Sequence, residues 1–111
     1  MSQERRQHRR IFLRVDLDFA CGHNFFRGKT RDLSVGGLFI ETTASIPIGT
    51  VLSIDLRFLK RNLRVNAVAT WENRERGRVV GVGIQFVDLP ESASRAIQAF
   101  MALREPLQVD A

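Results

Sequence analysis

The sequence predicts a mainly β protein, a six-stranded antiparallel β-barrel or sandwich with a C-terminal α-helix and a flexible basic N-terminal arm. Three observations support this fold class. Six segments alternate apolar and polar residues at a spacing of roughly ten residues, with polar turns between them. The segment after Pro90 has apolar residues at helical spacing instead. The first ten residues hold four arginines and show no strand pattern.

Length and composition indicate one soluble domain. At 111 residues the chain has room for a single core, so we assign residues 1–10 to the arm and residues 11–111 to one domain. Hydrophobic residues make up 44% and charged residues 26%, as in ordinary globular proteins. No apolar run approaches the ~20 residues of a membrane span, and no secretory signal is present. We therefore expect a cytoplasmic protein without a membrane span.

The first strand is predicted over 11–19, where every odd position is apolar. A turn at 21–24 precedes a more polar strand, FFRGKTRDLS, and extended structure resumes in VGGLFIET. Pro47 and Gly49 mark the next turn. Alternation then recurs in VLSIDLRFL, in LRVNAVATW and, after the charged loop ENRERG, in RVVGVGIQFV.

The C-terminal helix is predicted over about 91–105, with Ser92 as a candidate N-cap. Its apolar face repeats at helical spacing, and we expect that face to cover one opening or flank of the barrel. The residues on this face are Ala93, Ile97, Phe100, Met101 and Arg104.

The positive charge is concentrated in the arm. The segment RRQHRR supplies most of the net charge of +5, and such an arm suits an anionic partner. If the extended chain runs backward from Ile11, Arg6 and Arg10 face outward, whereas Arg5 and Arg9 share the inward parity of Ile11. A solvated arm without a defined ligand is the alternative.

The stretch DLSVGG offers a second polar cluster. In an extended strand, Asp32 and Ser34 point to the same, outer face. The glycines that follow, Gly36 and Gly37, would let a flat ligand approach the backbone. A turn in which Asp32 or Ser34 bonds the local backbone explains the same residues.

Catalytic and metal-binding patterns are missing from the sequence. Two histidines, one cysteine and scattered carboxylates provide no metal or nucleophile motif, so we predict no enzyme, no catalytic residue and no metal site. The glycines of GVGIQF resemble half of a dinucleotide fingerprint, but they lie within a strand. We expect them to let the strand bend or a neighbouring chain approach.

Taken together, these motifs resemble the PilZ domain family. The order is R-x-x-x-R before the first strand, then D-x-S-x-x-G, then a strand that ends in Trp and a G-x-G-x-x-F strand. The resemblance covers nearly the whole chain and implies a six-stranded barrel that binds cyclic di-GMP, a bacterial second messenger. In the family, the arginine motif wraps over the ligand while the aspartate-serine-glycine motif holds a guanine.

The resemblance also implies roles for individual residues. Arg6 and Arg10 would contact phosphates and guanine faces, with Arg5 as an additional contact. Asp32 would accept from guanine N1 and N2, Ser34 would meet a ligand edge or phosphate, and Gly37 would be the close-approach position. Weaker candidates are Arg9, Gly36 and Trp71; the strand parity of Trp71 favours the core.

These observations predict a non-enzymatic cyclic di-GMP receptor or adaptor without a cofactor, in which the ligand closes the arm and changes contact with an unidentified effector protein, in motility or biofilm regulation for example. One alternative is a PilZ-like protein-interaction module without nucleotide binding. Another is a small barrel that binds nucleic acid through the arm, which we disfavour because it leaves Asp32 unexplained.

Overall fold

A computed structural model describes residues 9–59 and 62–104. It contains seven strands and one helix in these regions: β1 (Ile11–Phe12), β2 (Asp16–Cys21), β3 (Asn24–Leu33), β4 (Gly37–Glu41), β5 (Val51–Leu56), β6 (Leu63–Glu75), β7 (Arg78–Val87) and α1 (Glu91–Ala102). The predictions for Arg5 and Arg6 concern residues outside the described part of the chain.

Six of the strands form a closed antiparallel barrel. The pairing runs from β2 to β3, β4, β7, β6 and β5, and β5 pairs with β2 again. The short β1 is an additional strand that pairs with the end of β3. The six-stranded antiparallel barrel and the C-terminal helix are confirmed. Closure of the sheet leaves the barrel strands without free edges.

The first predicted strand is interrupted between β1 and β2. The buried side chain of Thr30 on β3 causes the break, because its hydroxyl enters the backbone pairing. Thr30 Oγ1 donates to the Leu13 carbonyl at 2.6 Å and accepts from the Val15 amide at 3.1 Å. The apolar alternation nevertheless persists through the break, since Ile11, Leu13, Leu17 and Phe19 are all buried.

The barrel interior is filled mainly by alternate residues of β2, β4, β5, β6 and β7, and α1 covers part of this core. Ala93, Ile97 and Met101 are buried against the barrel side chains, as predicted from their spacing. Phe100 instead packs on Phe58 with ring centroids 5.3 Å apart. Within the described residues no helix is long and apolar enough to cross a membrane.

Two local predictions were wrong. The N-cap of α1 is Pro90 and no side chain caps it, because the helix begins at Glu91 and Ser92 already lies inside its first turn. The loop ENRERG is mostly strand, since β6 and β7 continue to a tight turn at Arg76 and Gly77. Both residues of that turn have positive φ, 54° and 78°, as required by two-residue hairpin turns.

Ion pairs cover the outer face of β2, β3, β5 and β6. Asp18 pairs with Arg27 and Arg57, Asp16 with Lys29, and Asp55 with Arg64. The hydrogen bond from Arg64 to the Asp55 carboxylate lowers the pKa of Asp55 below its ordinary value of 3.8. The charged side chains named here are therefore neutralised by their partners on the same face.

A modest acid sensitivity follows from the lowered pKa of Asp55. A carboxyl group with a depressed pKa in the folded state stabilises the fold above its unfolded-state pKa, and this contribution is lost as the pH falls through the folded-state value. We expect the urea midpoint of wild type to fall more between neutral pH and pH about 3 than that of Asp55→Asn. Equal changes in the two proteins would contradict the expectation.

Candidate functional site

The two sequence motifs meet at the end of β3. Phe12 of β1 pairs with Asp32, which brings Arg10, the residue just before β1, near the aspartate. Arg10 Nη2 donates to Asp32 Oδ1 at 3.0 Å. The Arg10 side chain is 43% exposed and that of Asp32 is 15% exposed, so the pair lies at the surface with its carboxylate partly sheltered. The outward parity predicted for Arg10 and Asp32 agrees with these positions.

A surface cavity of about 330 Å³ opens beside this pair. It lies on the outside of the barrel, over β3, β4, β6 and β7. The residues that line it are Arg10, Arg31, Asp32, Ser34, Gly36, Gly37, Leu38, Phe39, Thr70, Trp71, Gly83, Ile84 and Gln85.

An outer row of paired residues explains why the cavity forms here. Across the sheet, Asp32 pairs with Phe39, Phe39 with Gly83, and Gly83 with Trp71. A Cβ atom on Gly83 would overlap the Trp71 indole, and one on Gly81 would overlap the Phe39 ring. The G-x-G pattern therefore clears space for two aromatic rings on the outer face, consistent with the expected close approach of neighbouring chain.

Phe39 forms the floor of the cavity. It is buried although it lies outside the barrel, because Trp71 packs against it at a centroid distance of 5.1 Å. The Arg31 guanidinium covers the same ring at 4.0 Å. The neighbours Leu38 and Ile40 point into the core, so three consecutive residues of β4 are buried on two faces.

Trp71 lines the cavity, so the core position that its strand parity favoured was wrong. A register shift between Ala69 and Trp71 marks a bulge in β6, and such a bulge places two consecutive side chains on one face. Thr70 and Trp71 are both exposed as a result, Trp71 to 48%. Its indole offers a flat apolar wall to a ligand.

The outward orientation predicted for Ser34 was also wrong. β3 ends at Leu33, and Ser34 turns inward to an exposure of 1%. Its hydroxyl accepts from the amides of Gly36 at 3.1 Å and Gly37 at 3.3 Å. Ser34 thus closes the turn that presents the two glycines, which was the alternative interpretation of DLSVGG.

Gly37 has a structural requirement of its own. It begins β4 and pairs with Gln85 of β7, and a Cβ atom there would collide with the Ile84 carbonyl oxygen. Gly36 contributes its carbonyl, which accepts from the Phe86 amide at 2.9 Å. The close approach of β7 therefore leaves no room for a side chain at position 37.

Arg9 does not face the interior. It is exposed, so the inward parity predicted for it was wrong. Among the described residues no group of three or more His, Cys, Asp or Glu side chains could hold a metal ion.

Sequence reasoning missed seven lining residues, which are Arg31, Leu38, Phe39, Thr70, Gly83, Ile84 and Gln85. Arg31 has the parity of the buried Leu33, and only a register shift between Thr30 and Asp32 turns it outward. The one available signal was the pair of glycines in β7, which indicates that large side chains of neighbouring strands occupy the outer face.

A sequence profile of the PilZ domain matches residues 4–103. The chain belongs to the PilZ domain family. A comparison with curated protein sequences finds no match.

Solved PilZ structures share this fold. The PilZ domain of YcgR from Escherichia coli, determined with c-di-GMP, has a TM-score of 0.73 and 14% identity, with 90% of this chain and 91% of that chain covered. The inhibitor of motility MotI/DgrA of Bacillus subtilis has a TM-score of 0.74 and 16% identity, with 89% of this chain and 50% of that chain covered. This PilZ domain therefore spans about half the length of MotI/DgrA.

Proposed function

We propose that this PilZ domain is a non-enzymatic receptor for cyclic di-GMP, with its binding site in the cavity beside Arg10 and Asp32. The observation that carries the proposal is the contact between these two residues, which joins the arginine motif to the aspartate motif at the rim of one cavity. Further support comes from PilZ proteins of similar fold determined with c-di-GMP, namely YcgR and the PlzA protein of Borreliella burgdorferi.

The chemistry of the rim suits guanine. A carboxylate accepts up to about four hydrogen bonds, so Asp32 can hold Arg10 through Oδ1 and still accept from guanine N1 and N2. Arg10 has further donors for the O6/N7 edge of a guanine or for a phosphate. Trp71 supplies a face on which a base can stack.

The glycine turn completes the site. Ser34 is buried, so we assign it the task of holding Gly36 and Gly37 at the cavity wall, and the direct ligand contact in this region falls to the backbone there. Ser34 contributes to the site through the geometry of this turn.

We propose that the part of the arm that precedes Arg10 closes over the bound ligand. Ordering five residues costs about 5 to 10 kcal/mol, whereas each charge-assisted hydrogen bond returns roughly 1.5 to 3 kcal/mol. Several contacts from Arg5, Arg6 and Arg10 are therefore needed together, and closure follows ligand occupancy. The surface formed by arm, ligand and barrel then changes contact with an effector protein.

Calorimetric titration with cyclic di-GMP tests the proposal. We expect saturable heat with wild type and at least about ten-fold weaker binding by Arg10→Ala, since one charge-assisted bond is lost. Arg95→Ala is the matched control, because it removes the same charge from an exposed ion pair with Glu91 on α1. The absence of heat with folded wild type, or equal affinities of the two variants, would contradict the proposal.

A further inference from the structure

Arg31 is a second cation at the cavity, and neither sequence motif includes it. It precedes Asp32 on β3, and its side chain is 41% exposed. Its guanidinium carbon lies 4.0 Å from the centre of the Phe39 ring. A guanidinium that packs over an aromatic ring loses little conformational freedom on binding a ligand.

Glu41 fixes the other side of Arg31. The Arg31 Nε atom lies 3.6 Å from Glu41 Oε2, whereas Arg14 Nη1 donates to Glu41 Oε1 at 2.7 Å. Arg14 therefore occupies one acceptor position of this carboxylate, and Arg31 lies within ion-pair distance of its other oxygen. Among residues 9–59 and 62–104, the Arg31 side chain donates no hydrogen bond, which leaves its terminal nitrogens available.

Arg10 and Arg31 are the two cationic side chains that line the cavity within the described chain, and they differ in the hydrogen bonds that they make. Arg10 already donates to Asp32, so its position is tied to the group that suits guanine. Arg31 has no such bond. An anionic ligand that enters the cavity meets in Arg31 a guanidinium with free donors on the barrel wall.

We propose that Arg31 is a ligand-binding residue of this site, and that it binds a phosphate of cyclic di-GMP from the barrel side. The inference rests on the proposed function. It assigns the phosphate contact to the rigid barrel, so that part of the recognition precedes closure of the arm. Phe39 and Glu41 act as positioning residues, because they hold the guanidinium over the cavity floor.

The test compares Arg31→Ala with Arg14→Ala in calorimetric titrations with cyclic di-GMP. Arg14 is the matched control because it shares Glu41 with Arg31, carries the same charge and does not line the cavity. We expect Arg31→Ala to bind at least about ten-fold more weakly than wild type, and Arg14→Ala to bind within about two-fold. Thermal melts establish that both variants are folded.

Salt dependence separates a charge contact from a packing role. If Arg31 binds phosphate, the affinity ratio of wild type to Arg31→Ala shrinks as the salt concentration rises, because screening weakens the lost interaction. A ratio independent of salt would assign Arg31 to packing on Phe39 and overturn the inference. Wild type that binds no cyclic di-GMP would overturn the proposed function, whereas wild-type binding with equal affinities of the two variants would overturn this inference alone.

Discussion

Asp32→Ala is expected to weaken cyclic di-GMP binding by about a hundred-fold or more. The substitution removes the acceptor proposed for guanine N1 and N2, and two charge-assisted hydrogen bonds at roughly 1.5 to 3 kcal/mol each account for that loss. It also releases Arg10 from the rim of the cavity. Calorimetric titration measures the change.

Asp16→Ala is the control for this experiment. Asp16 is an exposed carboxylate that pairs with Lys29, so its loss changes the net charge equally without touching the cavity. Both variants should remain folded, since each loses one surface ion pair of roughly 0 to 1 kcal/mol. Equal affinities of Asp32→Ala and Asp16→Ala would remove Asp32 from the site.

Gly37→Ala is expected to reduce the free energy of unfolding by about 3 kcal/mol or more. The added Cβ atom meets the Ile84 carbonyl oxygen, which belongs to the backbone of β7 and cannot move without breaking the pairing of β4 with β7. Urea unfolding followed by circular dichroism measures this loss.

Gly22→Ala separates the collision from the general cost of replacing a glycine. Gly22 has a φ of 61° and open space around its Cα, so alanine there introduces backbone strain of about 1 to 2 kcal/mol without a collision. If the free energy of unfolding of Gly37→Ala were no lower than that of Gly22→Ala, β7 would be able to move aside, and the expected effect of the collision would be refuted. Weaker ligand binding by a Gly37 variant would therefore reflect the disturbed pairing of β4 with β7 as well as any lost contact with the ligand.

Apolar alternation was sufficient to predict a six-stranded antiparallel barrel or sandwich, and the order of the motifs indicated the barrel. Five barrel strands, β2, β4, β5, β6 and β7, place alternate residues in one core, whereas β3 contributes Leu33, and α1 adds Ala93, Ile97 and Met101. This signal is reliable because a one-residue slip would place the whole apolar set of a strand in water.

The site could be predicted only in part, because parity fails where a strand bulges. The bulge in β3 turns Arg31 outward beside Asp32, and the bulge in β6 does the same to Trp71 beside Thr70. Ser34 departs from parity for another reason, since the strand ends one residue earlier and its hydroxyl bonds the following amides. Bulges depend on hydrogen bonding with neighbouring strands, which no local pattern contains.

Because of its position, Trp71 can also serve as an intrinsic fluorescence probe. The sequence has one tryptophan and no tyrosine, so ultraviolet fluorescence excited at the indole band arises from a single side chain. That side chain lines the candidate cavity and packs on Phe39. Its emission reports on one wall of this cavity without an attached dye, and a ligand that stacks there changes the whole signal of the protein rather than a fraction of it.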